Sequence, residues 1–450
     1  MRDDPGRPPR PRRFATAPIG ALAIVALAAI GFAFTIAAFY PGYMTNDAGY
    51  VYGFIKDWRF GDWQSPVMSM LWWLVDPIAP GSGSMFLLMA TLYWAGFSLV
   101  ALTVARRSVW LGMVVPLLAL SPPAFMLLAM IWRDILFGVA WLLAVAIVYA
   151  GTDRRTAVRL AAQALAFVLL GFGILLRPTA IAAAPFLAAY LIWPTRFNGK
   201  QLALLFLPAL VLGYALVHLV YYVVIDVKRE NPLHSLLVFD LGGITQFSGE
   251  NQFPVQWSAE ETALLTSRCY NPDRWDSYWT IEPCRFVMAR LERSDDVIFG
   301  TPRLVEAWRR AVFAHPRAYL RHRLTYFGHF LADSNLTLEL YRADDPAKTP
   351  LARNPIFKAL VALHDKLKPT VLFRAGSWLL LAIAVCALAW RRRATPSGAF
   401  AIGVTGSAVV YVMTFALVGV AGDFRYAYWA VLASLAGAGA AIAAWREARS

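Results

Sequence analysis

Two aspartates in one short polar stretch are the first residues of this chain that could do chemistry. The segment YPGYMTNDAGYVYGFIKDWRFGDWQSP (40–66) carries Asp47 and Asp62 among aromatics, directly after a long apolar run. A partly buried carboxylate can have its pKa adjusted to take a proton from a hydroxyl, and Asp47 has the position for it. Asp62 reads either as a second site carboxylate or as a helix cap or partner for Arg59. Four more ionisable groups interrupt apolar sequence at three places: Arg133 with Asp134 in MIWRDILFG (130–138), Arg177 in LLRPTA (175–180) and Arg425 in GDFRYAYW (422–429). Charges at membrane depth are functional hypotheses by default, and an arginine fork suits bidentate contact with phosphate oxygens. The plainer readings stay open: Arg177 and Arg425 as residues that snorkel to an interface, Asp134 as a local ion pair or cap.

The elements that must carry these residues are transmembrane helices. Of 450 residues, 59% are hydrophobic and 16% charged, against about 25% charged in a soluble protein. Apolar blocks of about twenty residues, the length that crosses roughly 30 Å of hydrocarbon, lie at 17–40, 84–105, 109–131, 135–150, 158–176, 178–194, 201–225, 371–390, 398–420 and 426–444. The expected fold is an α-helical polytopic membrane protein of about ten crossings, N-in and C-in, with a mostly helical periplasmic or extracellular domain. The net charge of +14 comes from 42 Lys and Arg against 28 Asp and Glu. Many of the arginines sit at block edges as topology signals, so nucleic acid is not an expected partner.

Positive-inside alternation from Arg12 and Arg13 puts Arg106, Arg107, Arg154, Arg155, Arg196, Lys200, Arg391 to Arg393 and Arg446 on the cytoplasmic side. The junctions at Arg133, Arg177 and Arg425 then all fall on the outer side. The expected organisation is a basic cytoplasmic tail (1–16), a bundle (17–225) with a first outer loop (41–83), an outer cap (226–370) and C-terminal membrane helices (371–450). Within the first loop, Pro66 to Ile78 is too short to span and reads as an interfacial or re-entrant helix. Cys269 and Cys284, fifteen residues apart in the cap, are expected to pair in an oxidising compartment, whereas Cys386 reads as a small core hydrophobe.

No phosphate loop, nucleophile elbow or His-Glu-x-x-His zinc motif occurs; the cofactor is therefore unknown, a divalent cation being chemically compatible without a visible metal motif. His315, His322 and His329 recur every seven residues, about 10 Å of helix rise, too far apart for one metal; they read as a polar helix face. Arg321, His322 and Arg323 read as a solvated basic face or as a contact for phosphate. The many Trp and Tyr near block ends read as an interfacial belt. Asn335-Leu336-Thr337 is a glycosylation sequon without weight in a bacterial host.

The first-loop aspartate after aromatic-Pro-Gly, the Asp-aromatic-x-x-Pro that closes the stretch, and the pieces MIWRDILFG, LLRPTA and GDFRYAYW together resemble the ordered motifs of GT-C-type glycosyltransferases that use polyprenyl-phosphate sugars. Two departures stand out: Gln64-Ser65 follows Asp62 where that pattern has His-Pro, and Arg133 replaces a lysine. The resemblance implies transfer of a sugar from a polyprenyl-phosphate carrier to a lipid, glycan or protein hydroxyl, with inversion, at the outer face of the inner (plasma) membrane. It casts Asp47 as the base, with Asp62 as the other catalytic carboxylate. Arg177, Arg425 and Arg133 fall at the donor phosphate, with Asp134, Arg321 and His322 in support. Two alternatives are an O-antigen ligase or polymerase, with catalysis from the late outer loop, and a lipid or solute transporter or flippase, which would favour inverted repeats that the chain does not display.

Overall fold

The computed structural model describes residues 16–333 and 350–447; most of the expected cytoplasmic tail and the Asn335 sequon lie outside them. Among the described residues there is no β-sheet, only three isolated bridges. The first half contains α1 Thr16–Phe39, α2 Asn46–Asp57, α3 Pro66–Val75, α4 Ser82–Ala105, α5 Val109–Leu118, α6 Pro122–Leu127, α7 Arg133–Gly151, α8 Thr156–Leu176, α9 Ala184–Ile192 and α10 Gly199–His218. The cap holds α11 Leu233–Ser248, α12 Ala259–Ser267, α13 Phe286–Leu291, α14 Pro302–Ala314, α15 Pro316–Ala332, α16 Pro350–Arg353 and α17 Pro355–Leu367. The bundle closes with α18 Ala375–Trp390, α19 Pro396–Val418 and α20 Tyr428–Glu447.

Seven described helices are long and apolar enough to cross a membrane, and three shorter apolar ones, Val109–Leu118, Pro178–Ile192 and Ala375–Trp390, accompany them. The expected block 109–131 is broken into α5 and α6, because Pro116 lies within α5 and Pro122 restarts the chain after Ser121; proline removes a helix donor and restricts the residue before it. Successive passes nonetheless run between two ends of one bundle. At one end Arg106 reaches Asp153 at 3.5 Å, Arg107 reaches Glu447 at 3.1 Å and the Phe197 amide donates to the Arg393 carbonyl. This is an α-helical polytopic membrane protein.

Small residues set the packing. Over an apolar run of eighteen residues, 89% of the residues are buried within Phe424–Glu447 and 83% within Arg133–Gly151; in α20, Ala and Gly let neighbouring backbones approach closely where no hydrophobic drive separates helix from lipid. Within Gly199–Val224 only 6% of an apolar run of eighteen residues is buried: this is an apolar helix on the periphery, ending in a π-turn, Leu219–Val224.

The first loop is more regular than a loop. Thr45 caps α2 by accepting from the Ala48 amide, Ser65 caps α3 ahead of Pro66 at the first turn, and α3 runs on into a short 3-10 turn, Asp76–Ile78. These caps satisfy amide donors that a helix start leaves free. The cap is closed by the Cys269–Cys284 disulfide. The expected histidine face is not a single helix: His315 terminates α14, and only His322 and His329 lie on α15, because Pro316 starts a new helix.

Candidate active site

The chain leaving α1 pairs with the segment before α7: the Tyr43 amide donates to the Ala129 carbonyl at 2.8 Å and the Ile131 amide to the Tyr43 carbonyl at 3.1 Å. The Trp132 indole N–H then donates to Thr45 Oγ1 at 2.8 Å. These contacts bring the first turn of α2, where Asp47 sits, against the start of α7, where Arg133 and Asp134 sit. A small cleft of about 280 Å³, open mouth included, lies between them, lined by Asp47, Gln64, Trp132, Arg133, Asp134 and Arg425 among others.

Arg425 arrives from the far end of the sequence. Its Nη1 lies 2.8 Å from Asp47 Oδ2 and its Nε 3.1 Å from Asp423 Oδ2, while its guanidinium carbon stands 4.5 Å from the centre of the Trp132 ring. Arg133 Nη1 donates to the Trp63 carbonyl at 3.0 Å. Arg177 is buried deeper, with Nε 2.9 Å from Asp134 Oδ1 and its guanidinium 4.5 Å over the Tyr426 ring. Burial works to raise the Asp47 pKa, but Arg425, with Arg133 and Arg177 behind it, outweighs this and holds it below the ordinary carboxylate value; a position in the first turn of a helix acts in the same sense. For Asp423 burial wins over Arg425 and the carboxyl is pushed up.

The four junctions with the marked charges thus converge at one end of the bundle, and Asp47, Arg133, Asp134 and Arg425 share one cleft. Asp62 does not line it. Its Oδ1 accepts from the Glu230 amide at 2.6 Å and its Oδ2 from the Tyr222 hydroxyl at 2.9 Å, so it pins the first loop to the chain entering the cap. Asp62→Ala should therefore lower stability by about 1–3 kcal/mol through two orphaned donors, read as an earlier denaturant midpoint in micelles, with the affinity of the cleft for ligand little changed.

Arg321 and His322 lie away from the cleft as well. Arg321 covers the Phe247 ring at 4.5 Å. The solvated basic face expected at 321–323 is not what forms: His322 is fully buried and Arg323 nearly so, because both turn onto the buried Asp240. Arg323 Nη2 and His322 Nε2 lie 2.5 and 3.2 Å from Asp240 Oδ1, and the Trp308 indole donates to Oδ2 at 2.7 Å. Burial pushes the His322 pKa down despite Asp240. The other ring nitrogen, Nδ1, lies 2.9 Å from the Tyr270 hydroxyl.

This cluster grips the strand of chain that delivers Arg425, a contribution sequence reasoning missed. Arg323 Nη1 donates to the Gly419 carbonyl at 2.7 Å, the Trp275 amide to that of Val420 at 2.9 Å and the Tyr326 hydroxyl to that of Ala421 at 3.1 Å; the Gly422 amide donates to the Asp273 carbonyl at 2.7 Å. Four consecutive residues are held by the cap. A Cβ on Gly419 would lie 2.0 Å from the Tyr326 hydroxyl, and one on Gly422 2.4 Å from Asp273 Oδ1, so these glycines permit the approach. The glycines in VGVAGDFR were the available signal.

Beside the site an apolar groove of about 670 Å³ runs between α3 and the π-turn, with Val67, Leu71 and Leu74 facing Leu175, Val220 and Val224. The Ser65 and Tyr221 hydroxyls both donate to the Leu175 carbonyl, two residues before Arg177.

No family model matches the chain, and no curated protein does. Among solved structures, the apo form of the oligosaccharyltransferase of Archaeoglobus fulgidus aligns over 93% of this chain and 50% of its own, with 14% identity and a TM-score of 0.37. This chain thus spans about half the length of that enzyme, and a likeness so coarse transfers neither residues nor chemistry. What this protein shows by itself is a helical membrane bundle in which Asp47, Arg133, Asp134 and Arg425, from three of its charged junctions, line one polar cleft, with Arg177 paired to Asp134 behind it.

Proposed function

We propose that the protein is a GT-C-like membrane glycosyltransferase that moves a sugar from a polyprenyl-phosphate carrier to an acceptor hydroxyl, with inversion, at the outer face of the inner membrane. The observation that carries this reading is the pairing of Asp47 with Arg425 in a cleft also lined by Arg133: a carboxylate and two guanidiniums in one place. The apolar groove beside Leu175 supplies a surface for an isoprenoid tail at the same end of the bundle. The arginine-rich far end and the cap disulfide support an outward-facing cap.

In the proposed step Asp47 takes the proton of the acceptor hydroxyl, whose oxygen bonds to the anomeric carbon. The bond from that carbon to the phosphate oxygen breaks, and its electron pair leaves with the polyprenyl phosphate. The phosphodiester, with one negative charge, becomes a monoester approaching two, and Arg425 and Arg133 face that gain. Arg177, neutralised by Asp134, acts as the deeper support. Phosphate binding draws Arg425 off Asp47 and so frees the carboxylate to act as a base.

Transfer from a polyprenyl-phosphate sugar by the purified protein in detergent tests the reading. Arg425→Ala should weaken productive use of the donor by about 10- to 100-fold, the worth of a charge-assisted phosphate contact, with Arg425→Lys intermediate because it keeps the charge and loses the fork. Unchanged kcat/KM for donor in both variants would remove the phosphate role.

A further inference from the structure

Three tryptophans meet beside the cleft. Trp63 comes from the first loop, and Trp275 and Trp279 from the segment closed by Cys269 and Cys284. Their ring centres lie 5.8 Å (Trp63 to Trp275), 6.5 Å (Trp63 to Trp279) and 5.9 Å (Trp275 to Trp279) apart, with the Trp63 and Trp279 planes within 28° of parallel. Trp275 is buried as the base of the cluster, Trp63 is half-buried and Trp279 is 41% exposed. The cluster joins the cleft on two sides. The Trp63 carbonyl receives the Arg133 guanidinium and the next residue, Gln64, lines the cleft, while the Trp275 amide holds the Val420 carbonyl just ahead of Arg425. Asp276 lies within reach of the fields of Arg425 and Asp47.

A belt tryptophan sits with its ring at headgroup level; here three indoles from two segments of the chain pack on one another beside the cleft. Trp279 lies in a stretch of chain with exposed polar residues on both sides, Arg274, Thr280 and Glu282, one exposed aliphatic, Ile281, and the half-buried Asp276 three residues before it. A half-exposed indole packed on two others beside a polar cleft matches a pyranose, which offers a face of C–H groups to an aromatic ring and a rim of hydroxyls to the polar groups beyond it.

We propose that Trp63, Trp275 and Trp279 form a carbohydrate subsite, on which one sugar ring of a glycan acceptor stacks so that the adjoining residue presents its hydroxyl to Asp47. The acceptor class is therefore a saccharide of at least two units. This rests on the transferase reading for its second half, the delivery to Asp47, but not for saccharide binding itself.

The test uses the full-length protein in nanodiscs, titrated calorimetrically and by saturation-transfer NMR with neutral gluco-, galacto-, manno- and arabino-oligosaccharides of four to six units. At least one series should bind, with Trp279→Ala weakening it on the order of 10-fold, as loss of one aromatic stack does, and Trp279→Phe falling between. In the transfer assay Trp279→Ala should raise KM for that saccharide with kcat nearly unchanged, while Asp47→Asn lowers kcat and leaves saccharide binding intact. Saccharide binding that depends on Trp279 in a protein without transferase activity would sustain the subsite and overturn only the reading of the cleft. No binding in any series, or equal binding by wild type and Trp279→Ala with both proteins monodisperse, would overturn the proposal. If Trp279→Ala fails to fold, Trp279→Phe carries the same comparison.

Discussion

Asp47→Asn is expected to lower sugar transfer by about 10²- to 10⁴-fold, the usual worth of a positioned general base, while the protein inserts and folds normally. Asparagine keeps the shape of the side chain and can still accept from Arg425, but takes no proton at neutral pH. Arg425 is not stranded, because Asp423 lies 3.1 Å from its Nε, and the Asp47 side chain is 45% exposed, so little stability hangs on its charge. Transfer, donor binding and elution profile measured on one preparation separate the effects. Near-normal turnover would remove Asp47 as the base. The pH profile adds a second reading. In the free protein Asp47 is held below the ordinary carboxylate range, so the acid limb of kcat/KM should fall low; with Arg425 drawn to phosphate, the limb of kcat should lie higher. Coincident limbs would mean that Arg425 does not change partner.

Asp240→Ala should cost about 3–5 kcal/mol, because it leaves the buried Arg323 guanidinium without its counter-charge and the Trp308 indole without its acceptor. Stability should be recovered in large part by Asp240→Leu combined with Arg323→Met, which removes both charges, as replacement of a buried pair by apolar residues commonly does. Transfer should not recover with it, since the Gly419 carbonyl then lacks the donor that sets the approach to Arg425. Denaturant midpoints and turnover compared across the single and double variants check both halves. Full activity in the double variant would show that the cap's hold on residues 419–422 does not matter to the site.

Local sequence determined the helical class, the apolar runs, the basic end and the four charged junctions, because bilayer length, charge at block edges and ionisable residues within apolar sequence are properties of neighbouring residues. Asp47 and Arg425 were visible in this way as single residues. Their pairing was not: they lie 378 positions apart, and no local pattern says which carboxylate an arginine meets. Asp62 reads from sequence either as a second site carboxylate or as a structural one, and only the Glu230 amide and Tyr222 hydroxyl, which hold it outside the cleft, decide between them. Arg323 and His322 read as solvated because their sequence is basic; only the packing of α11 against α15 supplies the buried Asp240 that reverses this. Helix length and end charges follow from the free energy of each segment in lipid or water. Partner choice among the polar groups depends on which segments the tertiary structure brings within about 3 Å, where hydrogen bonding begins.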